Sequence, residues 1–191
     1  MSQPNLQDVD WSLIPAPDDD GAAAHLPGMT LPSLALPATS GETVDLSKLP
    51  ELTVVFGYPR TGVPGQISPV DDWDMIPGAR GCTPQTCSFR DLFAELKAAG
   101  AAQVFGLSTQ STDYQREMAT RLHLPFPVLS DEALALATAV KLPTMRVADL
   151  TLLKRIALII DSGRIVHVFY PVFPPDRNAG DVLAWLKANQ R

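Results

Sequence analysis

Cysteine occurs only twice in the 191 residues, at Cys82 and Cys87. Two cysteines cannot build a disulfide-stapled scaffold, and four residues between them is the wrong spacing for a two-plus-two metal site. Histidine is almost as scarce, and His25, His123 and His167 share no metal-ligand spacing. No apolar run reaches the roughly 18 residues a membrane span requires. The first residues, MSQPNLQDVDWSLIPAPDDD, show no basic stretch leading into an apolar one, so no secretory signal is expected. Basic residues are in the minority, 15 against 21 acidic, for a net charge of −6. That balance argues against a general nucleic-acid binder, which carries a basic face. A cytoplasmic protein is expected, in a compartment where thiols stay reduced. There a close cysteine pair points to catalysis or redox sensing rather than a permanent crosslink.

What is present is the composition of a globular domain, 46% hydrophobic and 19% charged. Residues 1–28 mix Pro, Asp and Ala without period and are expected to form a poorly ordered tail. A single domain is expected over 29–191. It opens with two short extended pieces around Ser40-Gly41 in LPSLALPATSGETVDLSKLP. LTVVFGYP, from Leu52 to Pro59, is a continuous apolar run suited to a buried central strand. AQVFGLST and FPVLSD supply two more strands, and KRIALIID and RIVHVFYP form a hairpin about Ser162-Gly163. Between them, Phe89, Leu92, Phe93 and Leu96 recur at helical spacing up to a stop at Gly100. TDYQREMATRLHL predicts a second helix and DEALALATAV a third, capped by Ser130 or Asp131; AGDVLAWLKANQ closes the chain. This order predicts a mixed sheet with helices on both faces, a thioredoxin-like α/β sandwich. Arg60 to Gly81 breaks the rhythm: rich in Pro, Gly and Asp, it is a loop of the length usually tied to function or disorder.

Both cysteines fall on the first predicted helix. Cys82 lies seven residues before Phe89, within about 20° of the core-facing stripe. Cys87 is about 140° around and roughly 7.5 Å further along the axis. A disulfide needs Cα atoms within about 7 Å and side chains that converge, so an intact helix cannot close this bond. Thr83 as cap and Pro84 in the first turn would put Cys82 at the helix N-terminus. Unpaired N–H groups and the helix dipole favour an anion there, and cysteine pKa values fall from about 8.5 toward 3.5–7.5 in such places. The thiolate is the attacking species, which makes Cys82 the better nucleophile. Cys87 suits a second step, attack on a sulfenic acid at Cys82. The competing reading is two small buried hydrophobes.

GCTPQTCSFRDL resembles the active-site helix of the Q-type peroxiredoxins, the bacterioferritin-comigratory-protein group of the redoxins. LPATSGETVDLSKL, VVFGYP, GLSTQSTDYQREMATRLHLPFPVLSD and LKRIALIIDSGRIVHVFYPV are similar to further family segments in the same order. The resemblance spans about Leu31 to Leu186. It implies a peroxidase acting on hydrogen peroxide or organic hydroperoxides, with Cys82 as peroxidatic and Cys87 as resolving cysteine. It also implies an intramolecular disulfide, a thioredoxin-like reductant, a monomer or homodimer, and no metal or organic cofactor. Carried over by position, Arg155 holds the thiolate and polarises the peroxide. Its flanking residues are apolar, and a buried guanidinium requires an anionic partner, either that thiolate or a structural carboxylate. Gln85 takes the place of the family's Gln or Glu in the first turn.

The sequence departs from the family twice. Ala79 stands where the family has a threonine that orients the peroxide, and Pro59 precedes Cys82 by 23 positions rather than about seven. Arg60–Gly81 is therefore an insertion, in which Thr61 is a candidate for the missing hydroxyl and Pro77 for the shielding proline. A second register stays open: TPQTCS resembles the TPTCS of another peroxiredoxin branch, and there Cys87 would be the nucleophile. Asp71, Asp72 and Asp74 suggest a solvated acidic loop before a cation site, and Trp73 a lid. The aromatics of Tyr170–Arg177 are expected at the rim of the site. Two rival functions remain: a slow-turnover redox sensor or binding module, and a dithiol–disulfide oxidoreductase, weakened by the lack of Cys-x-x-Cys.

Overall fold

The computed structural model describes residues 9–190. Its centre is β3, Thr53–Gly57, whose five residues are all buried. This is the outcome expected of a continuous apolar run in a strand covered on both faces. β1 (Ala35–Pro37) and β2 (Thr43–Asp45) form a separate antiparallel hairpin before it. After it come α1 (Cys82–Asp91), α2 (Phe93–Ala98), β4 (Gln103–Ser108), α3 (Thr112–Arg121), β5 (Val128–Ser130) and α4 (Ala135–Ala139). β6 (Thr144–Val147) and β7 (Leu150–Leu153) pair as a second hairpin. β8 (Ile156–Asp161), β9 (Arg164–Phe169) and α5 (Asn178–Ala188) complete the chain.

The main sheet has the order β5-β4-β3-β8-β9. β3, β4 and β5 run parallel, and β8 and β9 are antiparallel to their neighbours. Alternation along β3 divides the core. Val54 and Phe56 face Phe89, Leu96, Met118, Val182 and Leu186 of the helices on one side. Val55 faces a second cluster with Leu36, Leu46, Leu136 and Ala137 on the other. Phe56 stacks on Phe89, ring centroids 4.1 Å apart, and locks the cysteine helix to the central strand.

Four expectations need correction. Residues 9–28, assigned to a loose tail, pack on the domain, while residues 1–8 lie outside the described residues. Ala23 and Leu26 are buried, and the backbone bonds of Gly28, Leu31 and Ile165 tie this stretch along the start of β9. The apolar residues that anchor it are spaced irregularly among Pro and Asp, so no period betrays them. The first helix is not continuous, because Leu92 (φ −97°, ψ 10°) leaves the helical path between α1 and α2. The hairpin β6–β7 has no counterpart among the expected strands. The third helix starts late, with Leu134 in left-handed backbone, yet Asp131 still serves its N-terminus by accepting from the Leu136 and Ala137 N–H groups.

Candidate active site

The topology fixes where α1 begins. β8 runs antiparallel to β3 with Ile156 opposite Gly57, so the start of β8 lies beside the C-terminal end of β3. Arg155, one residue before β8, and Arg60, three beyond β3, are thereby brought to one place. α1 begins there as well. Its cap is Gly81 in left-handed backbone (φ 105°), with no side-chain cap, so Cys82 is the first helical residue and the expected Thr83 cap is not used. Only glycine fits: a Cβ on Gly81 would lie 2.5 Å from Pro175 and 2.8 Å from Trp11.

Cys82 is 4% exposed. Its Sγ lies 3.4 Å from Arg155 Nη2 and 3.4 Å from the Arg60 backbone nitrogen, both donors, and 3.5 Å from the Ala79 carbonyl. Arg155 is 2% exposed. Nη2 also donates to the carbonyls of Gly78, Ala79 and Arg80, at 3.1, 3.3 and 3.0 Å, and Nη1 donates to Gln85 Oε1. Nε has no partner among the described residues. Among those residues no carboxylate pairs with the guanidinium, so the structural-carboxylate reading fails and the cation is held by neutral oxygens and one sulfur. Burying a charge without a counter-ion costs several kcal/mol, which the hydrogen bonds to these oxygens offset in part.

A cleft of about 260 Å³ opens over the sulfur, lined by Arg60, Thr61, Trp73, Arg80, Cys82 and Pro84 among others. The insertion therefore walls the site. The Arg80–Asp74 ion pair (2.6 Å) and the 3₁₀ turn Trp73–Met75 set Trp73 at its edge. Among the described residues no group of His, Cys, Asp or Glu is arranged to hold a metal. Thr61, 1% exposed, faces the cleft, but its N–H and Oγ1 are both directed at Gln110 Oε1, at 3.0 and 3.2 Å. Gln110 Nε2 returns a bond to the Thr61 carbonyl. Nothing in the sequence singled out Gln110; it follows a strand as an unremarkable polar residue. Pro77 lines a different cavity, of about 200 Å³, on another side of Arg155 with Tyr170 and Lys154.

Cys87 lies in α1 and is 5% exposed, and no disulfide joins it to Cys82. Arg90 is pushed above its ordinary value, by Asp91 first and by Cys87 further down. Of the 170–177 segment, Phe173 meets Trp11 edge-on, and Asp176 accepts from the Trp11 indole at 2.9 Å. Burial first, then the hydrogen bond to Asp20, holds the Tyr170 phenol well above its usual range. His25 bonds the Val140 carbonyl and His167 stacks on Trp185, both away from the site.

Residues 26–183 match the Redoxin family. Peroxiredoxin Q of the chloroplast is 31% identical in Populus jackii over 84% of this chain and 68% of that protein. The Sedum lineare protein is 31% identical over 84% and 77%. The chain belongs to the Q-type peroxiredoxins. Peroxidoxin BcpB of Mycobacterium tuberculosis superposes with a TM-score of 0.69 at 26% identity, covering 87% of this chain and all of that one. Peroxiredoxin Q of Xanthomonas campestris, at 23% identity and TM-score 0.67, shares the fold. This peroxiredoxin is accordingly a thiol-dependent peroxidase on a thioredoxin-like fold. The sensor and dithiol-oxidoreductase readings gain nothing from these relatives.

Proposed function

We propose that Cys82 is the peroxidatic cysteine, Cys87 the resolving cysteine and Arg155 the group that holds the reacting sulfur. The observation that carries this is a buried guanidinium with no carboxylate partner among the described residues, 3.4 Å from Cys82 Sγ. The Cys82 thiolate attacks one peroxide oxygen; the S–O bond forms as the O–O bond breaks, and the departing oxygen takes a proton to leave as water or an alcohol. The Arg155 Nη2 and Arg60 N–H groups stand where charge passes from sulfur to oxygen, which is where fixed donors lower a barrier most. Cys87 then displaces the hydroxyl of the Cys82 sulfenic acid, which leaves as water, and forms the disulfide. A dithiol reductant of thioredoxin type returns both thiols. This cycle suits the cytoplasm, where such reductants keep thiols reduced.

Thr61 enters the reading as an acceptor. Its hydroxyl proton is directed at Gln110, which leaves the oxygen's lone pairs for a peroxide O–H. Two variants test the assignment of the cysteines. Cys82→Ser should abolish peroxide consumption, while Cys87→Ser should permit one oxidation per chain and no cycling. The reverse pattern would establish the other register.

A further inference from the structure

Arginine offers only donors, so the end of the Gln85 amide that meets Arg155 Nη1 must be its oxygen. The amide nitrogen then points away, in a position 0% exposed, and needs an acceptor of its own. Asn178 Oδ1 supplies it at 2.9 Å. Asn178 is 1% exposed and is the first residue of α5, reached from the 3₁₀ turn Pro175–Arg177. The four residues make one chain of contacts, from α5 through α1 to the start of β8 and back to the sulfur.

We propose that Asn178 is a positioning residue for peroxide reduction: its carbonyl fixes which way the Gln85 amide faces and so holds Arg155 against Cys82. An amide free to turn would set its NH₂ group against Nη1, donor to donor, and the guanidinium would have to swing. Its Nη2 contacts to Cys82 Sγ and to the carbonyls of residues 78–80 would lengthen together. Asn178 touches neither the sulfur nor the Cys82 cleft, so its effect is confined to the step in which Arg155 takes part.

The inference rests on the assignment of Cys82 and Arg155 above, and the experiment separates the two. Stopped-flow oxidation by hydrogen peroxide is followed in the full chain and in Arg155→Met, Gln85→Leu, Asn178→Leu, Asn178→Asp and the double variant Gln85→Leu/Asn178→Leu. Asn178→Leu should slow the first oxidation about tenfold, less than the roughly 10²-fold expected for loss of the donor itself. The double variant should be no slower than Gln85→Leu alone, because residues acting through one contact are not additive. Asn178→Asp, whose carboxylate accepts the same bond, should recover most of the rate, and the later disulfide-forming phase should keep its rate throughout. If Asn178→Leu does not fold, Asn178→Ala, which removes the acceptor, takes its place. An unchanged first oxidation in Asn178→Leu or its substitute, or a double variant slowed by the product of the single effects, overturns the proposal while leaving Arg155 in place. An unchanged rate in Arg155→Met overturns the underlying assignment as well.

Discussion

Arg155 reaches Cys82 with one terminal nitrogen and spends the other on Gln85, so its substitution removes a donor and strands several acceptors together. Arg155→Met should cut the first oxidation by about 10²-fold. The carbonyls of half-buried Gly78 and Arg80 can turn to water, whereas that of Ala79, 0% exposed, loses its partner, so a lower melting temperature should accompany the slower rate. Thr61→Val tests the acceptor role separately. It removes the hydroxyl while keeping the backbone bond to Gln110, and it should slow peroxide consumption without affecting reduction of the disulfide. An unchanged rate removes Thr61 from the site. Gly81→Ala should act on stability as well as rate. Left-handed backbone costs a residue with a Cβ about 1–2 kcal/mol, and the clashes with Pro175 and Trp11 add to it, which a thermal melt would register. At this scale the sequence offers Cys82 and Cys87 as candidates through their spacing, and Arg155 only through the resemblance to the family. It could not reveal the Arg60 N–H, which is backbone, or Gln110 and Asn178, ordinary amides whose importance comes only from what the fold sets opposite them.

Between elements, the decisive relation is that of α1 to the segments packed on its first turn. Cys82 and Cys87 share one unbroken helix, about 7.5 Å apart along its axis, and a disulfide cannot span them until a turn or more unwinds. Trp11 and Pro175 lie against the Gly81 cap, so unwinding must disturb them. Oxidation by one equivalent of peroxide should therefore change the fluorescence of wild type, and the change should shrink in Trp11→Phe. A full-sized change in Trp11→Phe would place the movement elsewhere. A second relation is that of β9 to α5, where His167 lies between Trp185 and Phe169. Burial holds its imidazole below the ordinary value of 6.5. The unfolded chain thus takes up this proton first as pH falls, and stability is lost as pH drops through about 6.5 toward the lower folded value. Thermal melts from pH 7.5 to 5 should show that loss in wild type and less of it in His167→Gln. The strands and helices of the main sheet were legible because apolar runs and helical spacing mark them directly. The hairpin β6–β7 was not: Thr144–Val147 does alternate exposed and covered positions, but over four residues that pattern is too short to stand out.

Across the whole molecule, the two stretches that look least like structure in the sequence complete the site. Residues 9–28 run from the mouth of the Cys82 cleft, where Val9 contributes, past Trp11 and Pro17 to the buried Leu26. Residues 60–81 wall the same cleft through Thr61, Trp73 and Arg80. Neither carries a period, because each is held by scattered contacts: Asp20 to Lys154 and Tyr170, Trp11 to Asp176, Asp74 to Arg80. Lys154 first, and Tyr170 after it, pull the Asp20 carboxyl below its usual range, so that anchor is intact at neutral pH and weakens as acid protonates the carboxyl. The site as a whole thus depends on one sulfur meeting one cation inside this frame. The most direct measurement is rapid-quench trapping of sulfenic acid in the wild-type chain with less than one equivalent of hydrogen peroxide, followed by peptide mass mapping. The account predicts that the earliest adduct lies on Cys82 and forms orders of magnitude faster than on a free cysteine; an earliest adduct on Cys87, or a rate no greater than that of free cysteine, would contradict it.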